Sequence, residues 1–310
     1  MKVCNYLERL AEGVVGASLS KVLVGKLKLF INPPVQNSKG KMQNICCPLL
    51  SFVFCLLAPI LVLLLWCPAA TAAQLSDRLA SFPNWNKPSV QAAQGDLIYP
   101  EWIMGTWDVT STLVDLVAPL APDIVTPGFE GNRRYLNQPI KFSVQFAKNR
   151  LPVPSLKLIP QPVKVQSAVV ADRAFNGLNL ARAYLGDRAV VAVKVDPHSP
   201  NRQITLLQGE RQLISIVTGR AIETPNANNF ITCEVFQQQF RSTGARPFFN
   251  QAESTTAYQY LPNSIPTIEA VQATAVYLSP QDPDYFTAGS KPVALYRYRL
   301  EFFPHEEAQN

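Results

Sequence analysis

Histidine is nearly missing from this chain, and several kinds of chemistry go with it. The two histidines are His198, in the turn Asp196-Pro197-His198-Ser199-Pro200, and His305 near the C-terminus, both in segments that read as exposed. No cluster has metal-ligand spacing, no Gly-x-Ser-x-Gly nucleophile elbow occurs, and no glycine-rich phosphate loop follows a strand. Asp282 and Asp284 in Ser279-Pro280-Gln281-Asp282-Pro283-Asp284 offer carboxylates to a cation, but acidic residues between prolines more commonly make a turn. The residues assign no catalytic group, no metal ligand and no cofactor, which lowers the prior for an enzyme without excluding one built from scattered carboxylates.

Cysteine is scarce in the same useful way. Of six cysteines, Cys4, Cys46, Cys47, Cys55 and Cys67 precede residue 74, and Cys233 alone follows it. An intrachain disulfide after that point is therefore impossible. Cys233, inside Phe230-Ile231-Thr232-Cys233-Glu234-Val235-Phe236, reads as a small buried apolar residue rather than a reactive thiol.

An excess of basic charge is also absent once the chain is divided at residue 73. Seven of the 28 Lys and Arg and two of the 22 Asp and Glu lie in residues 1–73, leaving 21 against 20 in the remainder. The sequence pI near 9.0 thus belongs to the N-terminal segment. A nucleic-acid partner, which needs a clustered basic surface, is not expected.

That segment has the form of an export leader. Lys39 and Lys41 precede an uncharged run from Ile45 to Trp66, broken only by Pro48 and Pro59, and Pro68-Ala69-Ala70-Thr71-Ala72-Ala73 supplies small residues for a cut after Ala73 or Ala72. The pattern predicts cleavage after Ala73 and delivery to a periplasm or a thylakoid lumen. An uncleaved signal anchor is the competing reading, since 22 residues can span a bilayer. Trp66 before Cys67 argues against a lipoprotein, and no paired arginines support a twin-arginine route. A start at Met42 would discard Lys39 and Lys41.

The predicted organisation is a leader over 1–73, an extended arm over 74–103 carrying Pro83, Pro88 and Pro100, a β domain over 104–304 and a tail over 305–310. Ile140, Phe142, Val144 and Phe146 alternate with Lys141, Ser143 and Gln145, as in a half-buried antiparallel strand. Further strands are expected over 105–116, 162–171, 188–195, 202–207, 211–223, 229–240, 254–261, 269–278 and 292–303, with hairpins at Asp196 to Asn201 and Gln208 to Glu210. One helix interrupts them, capped by Asp172, carrying Phe175, Leu178, Ala181 and Leu185 on one side and ended by Gly186. Strands in succession without alternating helices favour an all-β antiparallel meander, and about eight to ten strands hide their edges best by closing into a barrel.

The run Tyr99-Pro100-Glu101-Trp102-Ile103-Met104-Gly105-Thr106-Trp107-Asp108-Val109 resembles the opening of lipocalin-like (calycin) barrels, in which a short turn leads into Gly-x-Trp at the first strand. It also resembles a family of exported or lumenal proteins of cyanobacteria and plastids, over most of residues 74–303. The resemblance implies that Gly105 turns the chain sharply and that the indole of Trp107 plugs the closed end. It also implies a basic residue of the last strand lying across that tryptophan, for which Arg297 or Arg299 is the match. The alternative is that the two form a solvated ladder with Leu295 and Glu301 on the other face of that strand.

Three functional readings follow. A monomeric binding protein would hold a small apolar or amphipathic ligand, of the lipid, carotenoid or tetrapyrrole class, lined by Trp107, Tyr258, Tyr260, Tyr296, Tyr298 and Phe302. A non-catalytic scaffold or assembly factor for a membrane complex, photosynthetic or otherwise, would fill the interior itself and dock through the arm and loops. An isomerase or lyase on a pigment-like substrate would need an interior acid or base, for which Glu234 and Glu269 are the candidates.

Overall fold

The computed structural model describes residues 75–152 and 165–306. The leader, its apolar segment, both cleavage positions and Met42 lie outside the described residues, as do 162–164 of one expected strand and 307–310 of the tail.

In chain order the strands are β1 (Gln91–Ala92), β2 (Gly105–Val117), β3 (Pro139–Pro152), β4 (Val165–Ala171), β5 (Val190–Asp196), β6 (Ser199–Leu207), β7 (Arg211–Asn226), β8 (Asn229–Arg241), β9 (Phe248–Tyr260), β10 (Ile268–Leu278) and β11 (Ala294–Pro304). The helices are α1 (Leu75–Ala80), α2 (Phe129–Asn132), α3 (Arg173–Leu185) and α4 (Tyr285–Ala288). Ten strands make one antiparallel path, β4-β3-β2-β11-β10-β9-β8-β7-β6-β5, and β1 pairs beside it with β7. The sheet curls into a half-barrel, so the expected antiparallel, mostly β architecture holds. Its two end strands, β4 and β5, do not pair with each other. Instead α3 packs against β3 on one side and against β5 and β6 on the other.

Alternation along the strands sorts the core into two faces. On the concave face Trp107, Val109, Val144, Phe146, Leu300 and Phe302 gather in one apolar cluster. On the convex face Ile231, Cys233, Ala275, Tyr277 and Leu295 are covered by Leu75, Leu79 and Trp85 from the N-terminal segment. The sequence places the start of β9 six residues late, because Asn250, Gln251 and Glu253 interrupt its apolar pattern. Glu253 is nonetheless fully buried, with its charge met from outside the strand.

Residues 75–103 run from one face to the other. Past α1 and Trp85 the chain adds β1 to the free half of β7, with Gln91 opposite Arg220 and Ala92 opposite Gly219. Gly219 permits this approach, since a Cβ there would collide with Cγ2 of Val90. Beyond it the Tyr99 N–H donates to the Val169 carbonyl at 2.9 Å. The Tyr99 ring lies 4.9 Å from that of Phe146 and 5.6 Å from that of Phe230, filling the space between β3 and β8. A single 3-10 turn over Glu101–Ile103 then delivers the chain to Gly105, whose φ of 127° only glycine adopts readily.

The Asp172 side chain accepts from the Phe175 N–H at 2.9 Å and so caps α3, and the chain leaves the helix at Gly186. No residue of α3 is fully buried. The side that meets the concave face carries Arg173, Asn176, Leu180 and Tyr184 rather than the Phe175 stripe.

Candidate functional site

Between the concave sheet and α3 lies a cavity of about 490 Å³. This is within the usual range for small-molecule sites. Phe142, Phe146, Tyr258, Tyr298, Leu300 and Phe302 give it an apolar wall from β3, β9 and β11. The facing wall is polar and neutral, with Gln203 on β6 and Gln238 on β8, while Gln272 on β10 stands beside its cross-strand partner Tyr298. Leu180, 43% exposed, stands at its rim.

Charge at the cavity is balanced within the protein. Arg173 lines it and pairs with Asp96 at 3.1 Å and Glu234 at 3.0 Å, while Arg220 reaches the same Glu234 oxygen at 2.7 Å. Burial would lower the pKa of the Arg173 guanidinium, but Glu234 and Asp96 hold it above its ordinary value. Asn176 is likewise committed: its amide accepts from the Gln145 N–H at 2.6 Å and donates to the Gln145 carbonyl at 3.1 Å, fastening α3 to β3.

The tyrosines differ in what their hydroxyls meet. Burial, reinforced by the charge of Glu234, pushes Tyr258 up to about 12 even though Thr256 and Tyr99 hydrogen-bond to it. Burial also raises Tyr184 above its ordinary value, against a hydrogen bond with Ser111. Tyr298 is raised by burial and by the neighbouring Tyr184 and Tyr296, and no hydrogen bond opposes the shift.

Of the six aromatic residues expected to line a pocket, Tyr258, Tyr298 and Phe302 meet at this cavity. Trp107 sits beside it in the concave core, its indole N–H donating to the Ile103 carbonyl at 2.8 Å. Tyr260 stacks on Trp102 with centroids 5.4 Å apart, and Tyr296 is buried against Phe129, its hydroxyl accepting from Asn132 at 2.9 Å. Arg297 and Arg299 alternate onto the convex side of β11, the first over the Phe82 ring at 5.5 Å and the second 3.9 Å from Glu301. Glu234 is on the concave face but locked between two arginines, and Glu269 is exposed. Among the described residues no group of three or more His, Cys, Asp or Glu is placed to hold a metal. The Asp282 carboxylate accepts from the Asp284 N–H at 3.0 Å, closing a turn.

A family model described as a domain of unknown function, DUF6816, matches residues 91–306. The chain belongs to the DUF6816 family. No curated protein matches it, and no solved structure does. The DUF6816 match runs from β1 through β11, so it contains every residue of the concave cavity.

Two polar clusters of the DUF6816 chain escaped sequence reasoning. The concave one, Asp96-Arg173-Glu234-Arg220, draws on the arm, α3, β8 and β7, and only the acidic Glu234 inside an apolar strand signals it. The convex one centres on Glu253, which accepts from Arg78 at 2.7 and 2.8 Å, Trp85 at 3.0 Å, and the hydroxyls of Tyr277 and Thr255 at 2.7 Å each. Its signal is again an acid in a strand, since Glu253 stands one residue before the expected start of β9.

Proposed function

We propose that this protein is an exported binding protein that holds one small apolar or amphipathic ligand in the concave cavity, in the manner of a lipocalin-like barrel. The observation that carries the reading is the cavity of about 490 Å³ with an aromatic wall facing a neutral polar one. An interior filled by its own side chains, as a pure scaffold would have, leaves no such volume. Export through a cleaved leader to a periplasm or thylakoid lumen suits a domain whose one cysteine is buried and so presents no thiol for oxidation there.

Titration with 1,6-diphenylhexatriene, a hydrocarbon that fluoresces on leaving water, tests the reading. The unmodified protein binds the dye at one saturable site. Leu180→Trp, which places an indole at the rim on an exposed helical position, abolishes that site without lowering the melting temperature. Absence of saturable binding by the unmodified protein overturns the proposal and favours the scaffold reading.

A further inference from the structure

Resting on the binding reading, we infer that the cavity selects an uncharged ligand carrying a hydrogen-bond acceptor such as a carbonyl, and that the hydroxyl of Tyr298 is the group that recognises it.

The first observation is the pairing of every charged side chain at the cavity. Arg173 is held by Asp96 and Glu234 at 3.1 and 3.0 Å. The carboxylate of Glu253, whose chain borders the cavity, is turned to the convex face and engaged by Arg78, Trp85 and Tyr277. A ligand bearing a net charge would enter without a counter-charge, at a desolvation cost that the neutral wall cannot offset.

The second is the inventory of hydroxyls. Ser111 stands by the Tyr184 hydroxyl and holds its pKa down against burial, and Thr256 and Tyr99 do the same for Tyr258. Tyr298 lines the same cavity, yet among the described residues its hydroxyl has no hydrogen-bond partner. A phenol that lines the cavity without a protein partner has its O–H free for whatever fills that space, and an acceptor there takes the bond. Gln272, the cross-strand neighbour of Tyr298, donates to Thr274 at 3.1 Å and is thereby partly committed, and Tyr298 is the free donor on the apolar side. The ligand is therefore oriented with an oxygen toward β11 and its hydrocarbon body against Phe142, Phe146 and Phe302.

The test compares three probes on the unmodified protein and on Tyr298→Phe: the hydrocarbon diphenylhexatriene, the uncharged naphthyl ketone Prodan, and the anionic anilinonaphthalene sulfonate. Prodan is expected to bind more tightly than the sulfonate. The substitution is expected to weaken Prodan by about fivefold, the worth of one neutral hydrogen bond. Diphenylhexatriene binding and melting temperature should be the same in both proteins, which a purely structural tyrosine would not predict. Equal Prodan affinity in the two proteins, or tighter binding of the sulfonate, or binding of the hydrocarbon without the ketone, overturns the inference while leaving the binding reading intact. Failure of all three probes overturns both.

Discussion

Glu253 is the residue whose surroundings depend most on chain far from it in sequence. It is fully buried on the convex face, and its guanidinium partner Arg78 arrives from the segment before β1. Arg78 also lies 4.1 Å over the Trp85 ring, so one side chain neutralises the carboxylate and packs its aromatic neighbour. Removing Arg78 leaves an uncompensated buried charge. Arg78→Ala is therefore expected to lose roughly 3–5 kcal/mol of stability, measured by chemical denaturation. The double variant Arg78→Met with Glu253→Gln should recover part of that loss, because it removes both charges. A loss of less than about 1 kcal/mol in the single variant would show that the pair is not buried as described. The same carboxylate shapes Cys233: burial first, then the charge of Glu253, pushes its thiol up to about 12, in keeping with an inert cysteine.

At the scale of elements, the arm is attached by one very close approach. β1 lies on β7 at Gly219, where an added Cβ would also come within 3.3 Å of Val90 Cβ. Gly219→Ala is expected to cost about 1–3 kcal/mol and to expose residues 81–95 to limited proteolysis while the strands of the main sheet resist it. Unchanged proteolysis would mean that β7 or Val90 shifts to accommodate the methyl group. The strands themselves were largely legible, because Ile140 to Phe146 and Tyr296 to Phe302 alternate without interruption and each has one apolar face. The helix was legible through Asp172 and Gly186. The side it turns to the cavity was not, since Arg173, Asn176 and Tyr184 are drawn there by Glu234, Gln145 and Ser111, contacts that no helical period records. The cavity-facing placement of Tyr258, Tyr298 and Phe302 was legible because strand alternation fixes their face. Gln203, Gln238 and Gln272 were not, since polar residues on a strand read as solvent-facing until the sheet is known to curl over them.

For the whole molecule, closure is achieved without a closed ring of strands. The sheet ends at β4 and β5, α3 spans the interval, and residues 75–103 cover the convex face and then plug the interior at Tyr99. The domain is thus complete only with its N-terminal segment from Leu75 onward. The Leu75 N–H donates to the Glu223 carboxylate, and the Ser76 hydroxyl donates to the same group at 3.1 Å. A processing cut within α1 would strip these bonds and, if it passed Arg78, would orphan Glu253. A cut after Ala73 or Ala72 preserves all of them. The protein isolated from the cell that makes it is therefore expected to begin at Gln74 or Ala73, as N-terminal sequencing would show. Recovery of a chain still carrying residues 45–66 would replace export of a free domain with display of the same domain on a membrane anchor.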